Sequence, residues 1–166
     1  MTIYLVIPLF LAIALLQATI MPHLAIWGVF PDLPLIVVAS WGLLRGPREG
    51  LTWGFVAGIA VDIFAAAPFG TATLSLTLIG LLSGLGATSA LRARLILPMV
   101  FVFLATLLYA LLYMLIVQVS GQFVPWLDNL LRIVPPSAVL NGLLTPVIIE
   151  LLRIVHRRLG REEMEL

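Results

Sequence analysis

The chain has no cysteine, so disulfides and thiolate metal sites are both excluded. It has no lysine either; all nine basic residues are arginine. Charged residues make up only 10% of the 166 positions, against 62% hydrophobic. A water-soluble domain needs far more charge to cover its surface. The only two histidines, His23 and His156, are predicted on opposite membrane faces, so they cannot share a metal or work as an acid–base pair. There is no Ser-His-Asp grouping, no phosphate-binding glycine loop and no intramembrane metalloprotease motif. These absences point to a polytopic, all-α membrane protein without catalytic machinery, cofactor or metal.

What the chain does have is a sequence of long apolar runs. They predict six spans, at about residues 2–21, 32–44, 49–66, 71–90, 95–120 and 137–155, in a single transmembrane domain over 1–166. About 20 residues at 1.5 Å each cross a hydrocarbon layer of about 30 Å. The first run has no basic region before it and no small-residue cleavage pattern after it, so it reads as a retained helix rather than a signal peptide. The second is short for a span; Asp32 is its candidate N-cap, and Pro34 suits its first turn. Pro47 suits the first position of the third helix. Between the fifth and sixth runs, Trp126, Leu127, Leu130, Leu131 and Val134 share a helical face, with Asp128, Asn129 and Arg132 pointing away. That predicts a short amphipathic helix at about 125–134, lying in the membrane interface.

Arginine placement gives the orientation. Arg45, Arg48, Arg92, Arg94, Arg153, Arg157, Arg158 and Arg161 fall at alternate ends of the six spans, and Arg132 alone falls at the other end. By the positive-inside rule both termini are cytoplasmic. A five-span alternative with a re-entrant second segment would put Arg45 and Arg48 on the wrong side. The tail arginines Arg153, Arg157, Arg158 and Arg161 read as a lipid-interface anchor; with three glutamates after them they make a poor nucleic-acid site.

The most patterned stretch is the third segment. Gly46, Gly50, Gly54, Gly58 and Asp62 recur every four residues, along one ridge of a helix. Glycine costs a helix roughly 0.8–1.0 kcal/mol against alanine, so its repetition points to close backbone approach. The ridge serves packing within the bundle, docking of another membrane protein, or both. The fourth segment offers a matching small-residue stripe, Thr73, Thr77, Gly80, Gly84 and Thr88. Asp62 lies about a turn inside the outer end with no cation near it in sequence. Backbone N–H groups at the starts of segments two and four, with the Thr71 and Thr73 hydroxyls, are its expected donors. Simpler pairings suit Asp128 with Arg132 and Glu150 with Arg153.

Pro31-Asp32-Leu33, then Gly54-Phe55, Gly58, Asp62 and Pro68-Phe69-Gly70, with Leu16-Gln17 and Pro22 ahead of them, resemble the rod-shape-determining protein MreD family of bacteria. The motif likeness covers about residues 16–84. The resemblance implies a non-catalytic subunit of the bacterial inner membrane that binds the shape protein MreC. Through MreC it would meet RodA and a penicillin-binding transpeptidase in peptidoglycan elongation, with a homodimer left open. It also implies a six-helix bundle similar to the substrate-binding subunits of energy-coupling-factor transporters. The family has no agreed catalytic residue to carry over, so Pro31, Asp32, Gly54, Gly58, Asp62, Pro68 and Gly70 are motif positions only. A vitamin-binding transporter subunit is the alternative function. The nearly apolar outer loops AIWGVF and AAPFG argue against it, since they would hold a polar vitamin poorly.

Overall fold

The computed structural model describes residues 2–20, 23, 29–87 and 96–162, with side chains for all of these except 2–6 and 155–162. Among the described residues, six main helices form one bundle: α1 (Thr2–Thr19), α2 (Leu33–Arg45), α3 (Pro47–Phe64), α4 (Thr71–Leu85), α5 (Ile96–Val119) and α6 (Val134–Glu162). Thr88, Arg92, Arg94 and most of the loop around Trp27 lie outside the described residues.

The innermost helix is α2. Every residue from Pro34 to Leu43 is buried, as expected of a helix that is apolar all round. Its 13 residues reach about 20 Å, and it is wrapped by α3, α4, α5 and α6. Asp32 caps it, accepting a hydrogen bond from the Leu35 N–H at 3.1 Å, and Pro34 occupies its first turn. Trp41 of α2 stacks on Trp53 of α3 at 4.1 Å between ring centroids, and Phe10 of α1 meets Trp53 edge-on at 5.5 Å. These rings fill the end of the bundle where Arg45 and Glu49 sit. There the Trp41 indole N–H donates to Glu49, and Arg45 pairs with Glu49 at 3.5 Å.

The most extensive helix pair is α3 with α4. A Cβ added at Gly50 would overlap the Gly80 carbonyl, one at Gly54 the Leu76 carbonyl, and one at Gly58 the Thr73 backbone. On the opposite helix, Gly80 meets the Gly50 carbonyl and Gly84 meets Pro47. The two small-residue stripes therefore lie backbone on backbone. At Gly50, Gly54 and Gly58 the ridge is filled from within the chain by α4, whereas Gly46 precedes the helix with φ of +102° and an added Cβ there would meet nothing within 4 Å.

Several boundaries differ from the sequence-based expectation, among them the end of α1 at Thr19 rather than 21, the start of α3 at Pro47 rather than 49 and the end of α6 at Glu162 rather than about 155. Helix α4 stops at Leu85, where the Gly86 N–H bonds back to the Leu82 and Gly84 carbonyls, so it is five residues shorter than the run to Ala90. Helix α3 ends at Phe64, two residues before Ala66. The expected interfacial helix and sixth span are one continuous element. A turn at Trp126–Asp128 and a π-helical turn at Asn129–Ile133 run straight into α6. Pro135 and Pro136 look like a break because neither can donate to the preceding turn. The wider π-turn, in which the Val134 N–H reaches the Asn129 carbonyl, absorbs them. Its apolar residues also split. Trp126, Leu130 and Val134 pack against Met114 and Val124, while Leu127 and Leu131 face outward at 76% and 71% exposure.

Much of the outer surface is apolar. Helix α5 and the helix from Trp126 to Ile154 are each long and apolar enough to cross a membrane. Only 28% of the most apolar window of α5 is buried inside the protein. A core helix of a soluble protein would be mostly covered, whereas this one turns leucine, valine and isoleucine outward.

Candidate functional site

Two polar devices and a cavity lie at one end of the bundle, where α1 and α3 finish and α2, α4 and α6 begin.

The first device is centred on Asp62, which is 4% exposed. Its Oδ2 accepts from the Gly70 N–H at 2.9 Å, the Thr73 N–H at 3.0 Å and the Thr73 hydroxyl at 2.5 Å, and its Oδ1 from the Ala72 N–H at 2.9 Å. The carboxylate of one helix thus caps the open N-terminus of the next, where unpaired N–H groups carry partial positive charge. Gly70 makes this approach possible with φ of +100°, a conformation L side chains rarely adopt. Two expected donors are absent. The Thr71 hydroxyl turns instead to the Pro68 carbonyl at 2.7 Å, because it sits on the turn side of the helix start. The start of α2 takes no part, its N–H groups being bonded elsewhere.

That second set of bonds fixes the Pro31-Asp32-Leu33 corner. The Gln17 side-chain amide donates to the Pro31 carbonyl at 2.9 Å and accepts from the Leu33 N–H at 3.1 Å. From α6, Asn141 accepts from the Asp32 N–H at 2.9 Å and donates to the Thr106 hydroxyl at 3.1 Å. Asn141 and Thr106 are buried at 0% and 4% exposure. Helices α1 and α6, and α5 through Asn141, are therefore tied to three residues at the start of α2. Sequence reasoning used Gln17 only as part of the Leu16-Gln17 likeness and gave Asn141 no role. Their placement in hydrocarbon-length segments was the available signal, since a buried amide is costly unless it is paired.

Between α1, α5 and α6 and the corner lies a cavity of about 510 Å³, within the range of about 300–1,000 Å³ typical of ligand sites. Phe30, Phe64, Tyr109 and Tyr113 supply aromatic wall, and Ala14, Ala18 and Ala110 leave room. Gln17, Asp32, Thr106 and Asn141 line it too, along with Asn129 and Ser137 at the π-turn and the start of α6. Apolar outer loops therefore do not rule out a polar ligand, contrary to the sequence-based expectation: the convergent polar groups come from helices rather than loops.

The remaining sequence-derived positions are simple. Asp128–Arg132 and Glu150–Arg153 form the expected ion pairs at 3.6 and 3.4 Å. The first is almost fully exposed and so worth little. His23 is exposed and bonded through Nδ1 to the Thr19 carbonyl at 2.8 Å. Arg157, Arg158 and Arg161 fall where α6 is described only as backbone. Among the described residues no group of His, Asp and Glu could hold a metal ion.

Pro31, Asp32, Gly54, Gly58, Asp62, Pro68 and Gly70 thus all belong to the corner, the glycine seam or the Asp62 cap. The family model described as rod shape-determining protein MreD matches residues 1–155. The chain belongs to the MreD family. Comparison with curated proteins and with solved structures returns no match. An MreD is a shape-determining protein of the inner membrane, and the outward-facing apolar helices agree with that setting. The match reaches well past the residues 16–84 that carry the motif likeness, through α5 and into α6.

Proposed function

We propose that this chain is a non-catalytic scaffold of the peptidoglycan-elongation complex, a single transmembrane domain of six spans with both ends in the cytoplasm. Its direct partner is MreC, and through MreC it supports RodA and a penicillin-binding transpeptidase. The observation that carries this reading is the family match over residues 1–155. Two structural features support it. The α2–α3–α4 core is locked by backbone contact and by the Asp62 cap, giving a rigid body suited to presenting a surface. Arg45 and Arg48 flank the α2–α3 turn and Arg153 lies far along α6 from its start, none of them lining the cavity, in keeping with a cavity on the outer side.

The cavity favours a second reading, a vitamin-binding subunit of energy-coupling-factor type, because it offers polar groups that converge between aromatic walls. Purification of the tagged chain from its native membrane separates the two. The scaffold reading expects MreC and elongation enzymes among the co-purifying proteins. Co-purification of a transporter's ATPase subunits in their place would overturn it.

A further inference from the structure

The cavity holds a charge that the protein leaves unanswered. Asp32 lines it, and only Oδ1 is engaged, by the Leu35 N–H. Among the described residues, no hydrogen bond or ion pair reaches Oδ2, and no arginine or histidine lines the cavity. Arg132, the arginine nearest in sequence to this wall, points outward at 82% side-chain exposure and is paired with Asp128. A carboxylate in a largely apolar recess is costly without a compensating cation or donor.

The cavity is also reached from the side. Helix α1 packs on α3 and α2 but makes no comparable contact with α5 or α6. Even so, Ala14, Gln17 and Ala18 of α1 face Tyr109, Ala110 and Tyr113 of α5 across the space. Among the described residues, no comparable packing of α1 on α5 closes the seam between them. Gln17, Thr106 and Asn141 stand beside the acid through the bonds of the corner. Asn129 and Ser137 line the side toward the start of α6, and the rest of the wall is apolar and aromatic, suited to hydrocarbon.

We propose that this cavity is a lipid site that selects an aminophospholipid, drawn in through the α1–α5 seam, with its ammonium group on Asp32. A phosphate-only headgroup would bring negative charge to a carboxylate with no cation to offset it. An ammonium brings three donors to Oδ2 and the neighbouring hydroxyls. The proposal needs the chain to lie in a bilayer but not to act as a scaffold, so its failure would leave the partner assignment standing.

The test is native mass spectrometry of the purified protein from nanodiscs containing equal amounts of phosphatidylethanolamine and phosphatidylglycerol. The wild-type protein is expected to retain phosphatidylethanolamine in preference. Asp32→Asn keeps an N-cap acceptor for α2 and should cut that retention on the order of tenfold, the scale of a lost charge-assisted bond. Ala110→Phe, which fills the cavity from α5, should abolish it while the protein stays monodisperse. Equal retention of both lipids by the wild-type protein would overturn the proposal. So would unchanged retention in either variant, or a polypeptide segment cross-linking to a photoreactive residue placed at Tyr113 in the native membrane.

Discussion

Replacing Asp62 by asparagine tests how the third and fourth helices are joined. The side chain keeps its size but exchanges one acceptor oxygen for an NH₂ donor. Three of the four bonds fall on Oδ2 and one on Oδ1. The best orientation of the introduced amide therefore keeps its oxygen at the Oδ2 position and aims NH₂ at the Ala72 N–H. One buried donor is then left facing another, a penalty of about 1–3 kcal/mol, with charge-assisted bonds reduced to neutral ones besides. The substitution is thus not mild, as equal shape alone would suggest. Asp62→Leu removes all four acceptor contacts, and two such penalties left after relaxation make roughly 2–6 kcal/mol. Thr73→Val removes a single donor and should cost about 1 kcal/mol. Thermal unfolding in one detergent should rank the midpoints wild type, Thr73→Val, Asp62→Asn, Asp62→Leu. The Asp62→Asn and Thr73→Val changes should be non-additive, since they share one oxygen. Wild-type stability in Asp62→Leu would refute the reasoning.

Alanine at Gly50, Gly54 or Gly58 meets backbone of α4 that cannot step aside. Each should lower the unfolding midpoint well beyond Gly142→Ala, whose nearest neighbour would sit at 3.3 Å; equal effects at all four sites would show the α3–α4 seam to be loose. Asn141→Leu strands the Asp32 N–H and should destabilise by about 1–3 kcal/mol, whereas Leu143→Ala on the exposed face of the same helix should cost far less; unfolding in detergent reads both. Single cysteines at Phe69, exposed in the same turn as Gly70, and at Gln122 should react with a membrane-impermeant thiol reagent in cells whose outer barrier is permeabilised, and one at Ala93 should not; the reverse pattern would invert the orientation. Neutralising Arg157 and Arg158 together should lower the fraction of correctly oriented protein in the same assay, each arginine contributing about 1 kcal/mol at an anionic surface; an unchanged fraction would remove the anchoring role.

The parts of this architecture that could be read in the sequence are those with a period. Gly50, Gly54 and Gly58 recur every four residues and meet α4 backbone at Gly80, Leu76 and Thr73 in turn, so close packing of α3 on α4 follows from helical geometry alone. Asp62 shares that ridge, which is why its bonding to the start of α4 was foreseeable, down to the Thr73 hydroxyl. The Thr71 hydroxyl was misassigned because a side chain at the first helical position has the preceding turn as a nearer partner. The cavity was not legible. Gln17, Asp32, Thr106 and Asn141 come from four helices, with no spacing that relates them, and only the tertiary fold brings them together. Reading polarity from the loops missed it because the polar groups lie within the helices. The π-turn was hidden for a different reason. Pro135-Pro136 has the composition of a break, and only a local widening at Asn129–Ile133, set by packing of Trp126 and Val134 on α5, lets the helix pass through.

The central claim, that this membrane protein acts in cell shape by holding other membrane proteins together, is tested most directly by its depletion from cells that carry it. Cell outline and the recovery of MreC with RodA should be scored together, with vitamin uptake measured in parallel. The account predicts rounded cells and loss of the MreC–RodA association at normal uptake. Cells that keep their shape and their complex but lose uptake of a vitamin would contradict it.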